Sequence, residues 1–278
     1  MKIALVFEKN QLYHHGYYFG RAFQSLGHEV TYFDVHQLNA IPTGYYFYLR
    51  TDDGNYNFEW PRRLSPAFYW ICDTHLKKPA QKMAKLSQAF DQCFFSHYTP
   101  SIRLFQKQLN QKYFWLPFAC DPEIHKKVSS EKLYDISFVG NDGGIPRKFI
   151  LQELRERYPE SFIGTAPYEK LGFIYSAGKI GFNYSIHEDL NPRIFEIMAS
   201  GSFVLTNDIQ DEKFHELFKN REMLVLYKDL EELLGLVEYY LEHDKEREQI
   251  AKTGQEFVIS KHTYIHRAKE ILKYVEQR

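Results

Sequence analysis

Short apolar runs alternate with amphipathic helical stretches along this sequence, and the alternation predicts an α/β fold built on parallel sheets. Ile3–Phe7 has the composition of a short buried strand, and apolar residues recur at helical spacing between Phe19 and Leu26. Gly27 suits the left-handed position after a helix, and Glu29–Val35 returns as a second strand. This strand–helix–strand start is typical of a doubly wound domain.

Residues 44–60 break this rhythm. They alternate in polarity, are rich in Tyr and Phe and contain the dipeptide Asp53-Gly54, so we predict a β-hairpin there. In the rest of the first half the pattern predicts strands over Ala67–Cys72, Gln92–Ser96 and Tyr113–Pro117, and helices over Pro79–Ala89 and Pro100–Leu109.

A polar stretch, Cys120–Lys132, separates the first half from a second α/β series. The strands predicted in that series are Tyr134–Gly140, Ser161–Ile163, Lys179–Tyr184, Ser202–Asn207 and Met223–Tyr227. The helices predicted there are Arg147–Arg157, Tyr168–Tyr175, Pro192–Ser200 and Glu212–Phe218, followed by a helical tail from Leu230 onward. We therefore predict two Rossmann-like domains, residues 1–125 and 126–278, with the last helix packing back on the first domain.

The charge balance, the cysteine count and the length of the apolar runs exclude several classes of protein. The 278 residues include 35 Lys and Arg against 36 Asp and Glu, and this balance argues against a nucleic-acid partner. The three cysteines are too few for a disulfide framework or a zinc site, and no apolar run is long enough to span a membrane. These features predict a cytoplasmic protein. The aromatic fraction of 17% is unusual and needs its own explanation.

Two common nucleotide-binding motifs are absent from the sequence. The loop after the first strand offers only Gly16 and Gly20 in place of G-x-G-x-x-G, and the phosphate loop G-x-x-x-x-G-K-[ST] does not occur. His14 and His15 in the same loop could bind a phosphate or a sugar hydroxyl. Ordinary surface histidines explain them equally well.

The strongest functional signal is a helix start in the second half. Asn191 is a good N-cap and Pro192 suits the first helical position, so a helix N-terminus points to the carboxyl edge of the sheet. Arg193 in the first turn is unfavourable there unless an anion neutralises it, which favours a diphosphate site. Glu188 and Glu196 could accept hydrogen bonds from vicinal sugar hydroxyls. A capped helix with solvated acids is the alternative.

A second turn has the same character. Gly140 and Asn141 end a predicted strand, and Arg147 and Lys148 follow a pair of glycines at residues 143–144. Glycines let the backbone approach a phosphate closely, and the basic pair would offset its charge. Two such turns at the carboxyl ends of parallel strands fit a nucleoside diphosphate.

Asp73 and His75 follow a predicted strand of the first half and could hold an acceptor hydroxyl or act as acid and base. An aspartate that only caps the next turn is the commoner explanation. Four lysines between residues 77 and 85 could rest on anionic lipid, although such lysines usually form a solvated face. Membrane contact is therefore predicted to be peripheral at most.

Seven residues separate Glu188 from Glu196, and Ile-Met-Ala-Ser-Gly follows the second glutamate. This pattern resembles the E-x7-E signature of retaining group-1 glycosyltransferases of the GT-B fold. The runs Asn191–Glu196, Tyr134–Asn141 and His262–Arg267 are similar to the spore-maturation (CgeB-type) branch of that group.

The resemblance implies two Rossmann-like domains facing a central cleft, closed by C-terminal helices, with the donor bound by the second domain. The residues that it assigns to the donor nucleotide and diphosphate are Gly16, Gly140, Asn141, Arg147, Lys148, Asn191, Arg193, Ile194 and Glu196. Within this set Glu196 binds the ribose and the basic residues bind the diphosphate. For catalysis the resemblance implies Glu188, which faces the donor sugar, and Asp73 and His75 are predicted on the acceptor side from their position after a strand, not from a motif. No metal ion and no cofactor are implied.

The predicted function is transfer of a sugar, with retention, from a UDP- or GDP-linked donor to a saccharide, protein or lipid-linked acceptor. A sugar-nucleotide epimerase of the GT-B fold would share the donor site, and a non-catalytic nucleotide-sugar-binding module would share the fold. The aromatic excess then predicts stacking against sugar rings by the segment Tyr45–Trp60 of the acceptor domain.

Overall fold

The structure is a computed structural model that describes residues 1–10, 14–74, 77–98, 114–128, 131–211 and 213–277. His75 and the predicted helix Pro100–Leu109 lie outside these residues. The chain divides into two compact units, one comprising Met1–Pro117 and Tyr264–Arg278 and the other Phe118–Thr263.

The strands are β1 (Lys2–Phe7), β2 (Glu29–Asp34), β3 (Phe47–Thr51), β4 (Ala67–Ile71), β5 (Gln92–Phe95), β6 (Phe114–Trp115), β7 (Tyr134–Val139), β8 (Phe162–Gly164), β9 (Gly178–Asn183), β10 (Phe203–Asn207) and β11 (Val225–Tyr227). The helices, numbered along the described chain, are α1 (His15–Ser25), α2 (Lys77–Ser87), α3 (Arg147–Arg157), α4 (Leu171–Ala177), α5 (Pro192–Ala199), α6 (Phe214–Leu217), α7 (Leu230–Glu242), α8 (Asp244–Lys261) and α9 (Tyr264–Glu276). Short 3-10 turns occur at Val35–Ala40 and Tyr168–Lys170. Within the described ranges, no helix is both long enough and apolar enough to cross a membrane.

The first unit is built on a six-stranded sheet in the order β2-β1-β3-β4-β5-β6, and all neighbouring strands are parallel. The direction of strand addition reverses between β1 and β3, because β2 lies on one side of β1 and the later strands lie on the other. Loops at the carboxyl ends of such a pair diverge and leave a crevice between them.

The core of the first unit accounts for much of the aromatic excess. Phe7, Phe19, Phe23 and Trp70 are fully buried. The ring of Phe19 on α1 lies 5.3 Å from that of Trp70 on β4 and 5.1 Å from that of Tyr264 on α9. Each such ring contributes roughly 1.5–3 kcal/mol of transfer free energy on burial. These contacts hold α1 and α9 on one face of the sheet.

The predicted β-hairpin over residues 44–60 is wrong. Phe47–Thr51 forms the single strand β3, which pairs in parallel with β1 and with β4, and residues 52–60 contain no strand. Arg50 gives this run its apparent polar alternation, yet its guanidinium is buried and forms an ion pair with Asp53. The sequence therefore shows the polar alternation of a half-exposed hairpin strand, although the charged residue that produces it is buried.

The second unit is built on a five-stranded parallel sheet in the order β11-β10-β9-β7-β8. Strand addition reverses between β7 and β9, so their carboxyl ends, at Val139 and Asn183, flank a crevice. Ile136, Phe182 and Leu205 are fully buried in the core of this unit. Two parallel sheets with flanking helices confirm the predicted α/β class with Rossmann-like halves.

Candidate functional site

A pocket of about 340 Å³ lies at the carboxyl ends of β7 and β9, where strand addition reverses in the second unit. Its lining consists of residues from the start of α3, the loop after β9 and the first turns of α5. They are Arg147, Ser185, Ile186, His187, Asp189, Asn191, Pro192, Arg193 and Glu196. Four of the residues predicted for the donor site, Arg147, Asn191, Arg193 and Glu196, therefore meet in one pocket.

Arg193 is fixed at the end of β7 by contacts on three sides. Its Nε donates to the carbonyl oxygen of Val139 at 3.0 Å, and its Nη1 donates to Oδ1 of Asn183 at 2.9 Å. Its guanidinium carbon lies 4.6 Å from the centre of the Phe138 ring. A guanidinium carries five N–H groups, so these two hydrogen bonds orient the fork without using all of its donors. Arg193 is thus a preorganised cation in the pocket.

Arg147 approaches the same aromatic ring from the first turn of α3. Its guanidinium carbon lies 5.8 Å from the centre of the Phe138 ring, and its Nε donates to the carbonyl oxygen of Asp142 at 3.0 Å. Burial lowers the pKa of Arg147, and the positive charge of Arg193 lowers it further. Two neighbouring guanidinium groups repel each other, so this part of the pocket favours an anion between them. The neighbouring Lys148 is exposed and does not line the pocket.

The start of α5 adds a second attraction for an anion. Asn191 occupies the N-cap position, but its side chain makes no capping hydrogen bond. Its Oδ1 atom is buried and has no hydrogen-bond partner within the described residues. Ile194 is fully buried, so only its backbone can reach a ligand. The positive end of the helix dipole therefore faces the pocket without a side-chain cap.

Glu196 lies one turn further along α5, and only 15% of its side chain is exposed. Burial raises the pKa of Glu196 to about 7, although the positive charge of Arg193 acts in the opposite direction. His125 is a second ionisable neighbour, and its Nε2 lies 3.8 Å from Oε1 of Glu196. Near neutral pH this carboxyl is therefore poised between an acceptor of sugar hydroxyls and a protonated acid.

Glu188 occupies a different position from Glu196. It is exposed, its φ of +53° lies in the left-handed region, and it does not line the pocket. Its carbonyl oxygen accepts the N–H of Gln210 at 3.1 Å. The loop around it is fixed because the N–H of Ser185 donates to Oδ1 of Asn207 at 2.7 Å. The two glutamates of the E-x7-E pattern therefore have separate environments.

Gly140 packs directly against Arg193. Its φ is +152°, and a Cβ atom at this position would lie 2.6 Å from Nη2 of Arg193. Asn141, the next residue, is exposed. The close approach explains the glycine, because any side chain here would push the guanidinium out of its present position.

We expect Gly140→Ala to destabilise the protein by about 1–3 kcal/mol, since the backbone becomes strained and Arg193 must move. Urea unfolding measures this cost. Gly144→Ala provides the matched control, because Gly144 also has a positive φ, +85°, but a Cβ atom there meets nothing within 4 Å. If the absence of a side chain at Gly140 is what allows Arg193 to keep its position, only Gly140→Ala weakens the binding of pyrophosphate. Equal loss of binding in both variants would contradict this explanation.

The carboxyl edge of the first unit's sheet holds a separate group of ionisable side chains. Asp52 accepts the backbone N–H of Cys72 at 3.0 Å and that of Gly54 at 3.1 Å, and burial raises its pKa to about 6. Nδ1 of His14 accepts the N–H of Gly16 at 3.0 Å, and its Nε2 lies 2.7 Å from the carbonyl oxygen of Asp52. Burial lowers the pKa of His14 to about 4. His14 is thus a neutral N-cap of α1.

The remaining predicted residues of the first unit have mixed surroundings. Gly16 is buried in the first turn of α1, where a Cβ atom would lie 2.3 Å from the Phe7 ring. This packing accounts for the glycine without a ligand. Asp73 follows β4 with a φ of +46°, is half-buried, and helps to raise the pKa of Asp52. His75, the third predicted catalytic residue, lies outside the described residues.

The sequence prediction missed several residues that shape the pocket. Asn183 holds Arg193, and it stands at a strand end where a polar residue is a useful signal. Asp189 accepts a hydrogen bond from the Ser185 hydroxyl at 2.6 Å and gives the pocket a carboxylate. His125 lies in the polar stretch before β7, and no motif marks it. Within the described residues, no group of three or more His, Cys, Asp or Glu could hold a metal ion.

The sequence matches one protein-family model, described as glycosyl transferase-like, over residues 123–273. This range spans more than half of the chain and includes every residue that lines the pocket. The chain belongs to the glycosyl transferase-like family. No curated protein matches the sequence of this family member.

Solved structures similar to this glycosyl transferase-like protein share its fold at low sequence identity. HepE of Anabaena, in complex with UDP and glucose, has a TM-score of 0.69 and 11% identity, with 100% of both chains covered. Sucrose-phosphate synthase from Thermosynechococcus elongatus has a TM-score of 0.67 and 11% identity, with 100% of this chain and 98% of that chain covered. TarM has a TM-score of 0.59 and 12% identity, with 82% and 54% covered. These likenesses confirm the predicted GT-B fold.

Proposed function

We propose that this protein transfers a sugar from a nucleoside-diphosphate sugar to an acceptor hydroxyl. The observation that carries the proposal is the pair Arg147 and Arg193, which share the Phe138 ring beside the uncapped start of α5. Two guanidinium groups and a helix N-terminus match the negative charge of a diphosphate. Membership of the glycosyl transferase-like family suggests the role of this anion, because a nucleoside diphosphate is the leaving group when a sugar is transferred from a nucleotide sugar.

The proposed roles follow the chemistry of each side chain. Arg147 and Arg193 bind the diphosphate and stabilise the charge that develops on it as the glycosidic bond breaks. Glu196 accepts hydrogen bonds from the ribose hydroxyls, and Glu188 faces the donor sugar. Asp73 is proposed as the acceptor-side acid or base.

The finer features of the reaction are part of the proposal. The donor is UDP- or GDP-linked, and UDP is the first choice because structures of HepE contain UDP or UDP-glucose. A structure of TarM contains UDP and alpha-GlcNAc-glycerol, so a small hydroxylated acceptor is a sensible starting point. We further propose transfer with retention, without a metal ion, by an enzyme of the CgeB-type branch. Three free, buried cysteines fit a cytoplasmic location.

Thermal unfolding in the presence of UDP, GDP, UMP and pyrophosphate tests the donor site. A ligand at about 100 times its Kd adds roughly 2.7 kcal/mol to stability, and this should raise Tm by several degrees for UDP or GDP and by less for UMP. If neither diphosphate raises Tm, the donor site is wrong. Once a donor is found, ¹H NMR of the product gives its anomeric configuration. Isomerisation of the donor with no acceptor present would identify an epimerase instead.

A groove of about 630 Å³ in the first unit is the proposed place for an acceptor saccharide. It lies between residues 56–60 and α2, and its lining includes Tyr56, Phe58, Trp60, Lys82 and Lys85. Aromatic rings stack on the apolar faces of sugars, and lysines bind hydroxyl or anionic groups. This groove keeps the proposed sugar-stacking role of the 45–60 segment, although that segment is not a hairpin.

We expect Phe58→Leu to raise the acceptor KM about three- to tenfold, because leucine keeps the apolar packing but removes the flat ring face. The donor Kd should stay within twofold of the wild-type value. Tyr46→Leu is the matched control, since Tyr46 is 49% exposed and does not line the groove. Initial-rate kinetics with an acceptor that supports transfer measure both constants. An equal rise in acceptor KM for the two variants would exclude the groove.

A further inference from the structure

His125 is held rigidly beside Glu196 by its own backbone and ring. Its backbone N–H donates to the carbonyl oxygen of Asp121 at 2.8 Å, and its side chain is fully buried. The adjoining carbonyl oxygens of Ile124 and Lys126 pack so closely on α4 that a Cβ atom at Gly172 would lie 2.6 and 2.7 Å from them. The imidazole therefore has little freedom to move.

The position of the ring proton of His125 follows from its hydrogen bonds. Nδ1 of His125 accepts the backbone N–H of Asp121 at 3.0 Å. An imidazole nitrogen that accepts a hydrogen bond carries no proton, so in the neutral ring the proton is on Nε2. Nε2 is the atom that faces Oε1 of Glu196, at 3.8 Å. These two atoms are too far apart for a hydrogen bond, so the Nε2–H group acts on the buried carboxyl group as a nearby dipole.

We propose that His125 is a positioning residue that orients the carboxylate of Glu196. Its Nε2–H attracts Oε1 across 3.8 Å, a separation longer than a hydrogen bond, and this favours an orientation in which the second oxygen of Glu196 is directed to the hydroxyl groups of a bound nucleoside. The inference rests on the proposed function of the pocket. It assigns to Glu196, the residue proposed to bind the ribose, a neighbour that lies 71 positions earlier in the chain, outside the E-x7-E segment. An oriented carboxylate loses less conformational freedom when the ligand binds.

Two substitutions separate this role from simple packing. His125→Leu removes every polar atom of the side chain, whereas His125→Gln keeps an amide whose N–H group can reach the position of Nε2. We expect the Kd for UDP or GDP to rise about threefold to tenfold in His125→Leu and less than about threefold in His125→Gln, because only leucine removes the N–H dipole that faces the carboxylate in a buried site. Isothermal titration calorimetry measures these constants.

Two further measurements test whether His125 acts through Glu196. In a Glu196→Gln background, His125→Leu should add less than a twofold change, because the group that it orients is gone. The Kd for pyrophosphate, which has no ribose, should be the same in His125→Leu and the wild type. If pyrophosphate binding weakens as much as nucleoside diphosphate binding, His125 is a packing residue and the inference is overturned.

The pKa of Glu196 can be measured without a ligand, so it tests the positioning role of His125 independently of the proposed function. An N–H donor stabilises the ionised carboxylate, so the pKa of Glu196 should be higher in His125→Leu than in His125→Gln. The ¹³C chemical shift of the Glu196 carboxyl carbon, followed between pH 5 and pH 9, gives both values. Equal midpoints would overturn the positioning role even if the protein bound no nucleotide, whereas unequal midpoints without nucleotide binding would overturn only the proposed function.

Discussion

Arg147→Ala is expected to weaken the binding of UDP or GDP by about tenfold to a hundredfold, the range for losing hydrogen bonds to a charged group. The guanidinium lines the pocket from the first turn of α3 and shares the Phe138 ring with Arg193. Removing it leaves one arginine to neutralise a diphosphate that carries two or more negative charges. Isothermal titration calorimetry with the diphosphate and with pyrophosphate measures the loss, which should be similar for the two ligands.

Lys148→Ala is the matched control for this prediction. Lys148 is adjacent in sequence, carries the same charge and lies on the same helix, but it is exposed and outside the pocket. Its replacement should change Kd by less than about twofold at physiological salt, because exposed charges are screened. Arg147→Lys keeps the charge and loses the planar fork, so we expect an intermediate effect. Similar losses for Arg147→Ala and Lys148→Ala would mean that only net charge matters and that the pocket does not place the diphosphate.

The pair Arg147 and Lys148 also shows what the sequence could not decide. The sequence placed both residues at the start of a helix, and α3 begins at Arg147 as predicted. Adjacent residues on a helix point about 100° apart, so only one of them can face a given pocket. Which residue that is depends on how the helix packs on the sheet, and packing is a tertiary property.

The helix start at Pro192 was predictable for local reasons. Proline fixes φ and lacks an N–H, so it is favoured at the first helical position, and here it follows Asn191 at the N-cap position. The pairing partners of β3 were not predictable in this way. The sequence pattern predicts that Arg50 faces solvent. In the structure Arg50 is buried in the sheet, because the buried carboxylate of Asp53 balances its charge. His125 was missed because its partner Glu196 is close in space but far along the chain.

Glu196 is expected to make nucleotide-sugar binding dependent on pH. Its pKa, about 7, is raised from 4.5 by burial, so about a tenth of the carboxyl groups are ionised at pH 6 and about nine tenths at pH 8. Because the ionised form accepts hydrogen bonds from two hydroxyls, affinity should rise about tenfold across this interval. A nucleotide sugar is the proper probe, since its diphosphate is a diester and does not titrate in this range. Glu196→Gln should bind more weakly and with a flat pH profile.

The same raised pKa predicts the opposite trend for stability. Between pH 4.5 and pH 7 the folded protein binds a proton at Glu196 that the unfolded chain releases, so the free energy of unfolding falls as pH rises through this window. The expected decrease is about 3 kcal/mol, the free-energy equivalent of the pKa difference. Urea unfolding of wild type and Glu196→Gln at several pH values isolates this contribution, because glutamine cannot titrate. A pH dependence that is identical in the two proteins would show that Glu196 keeps an ordinary pKa, and the predicted pH dependence of binding would fail with it.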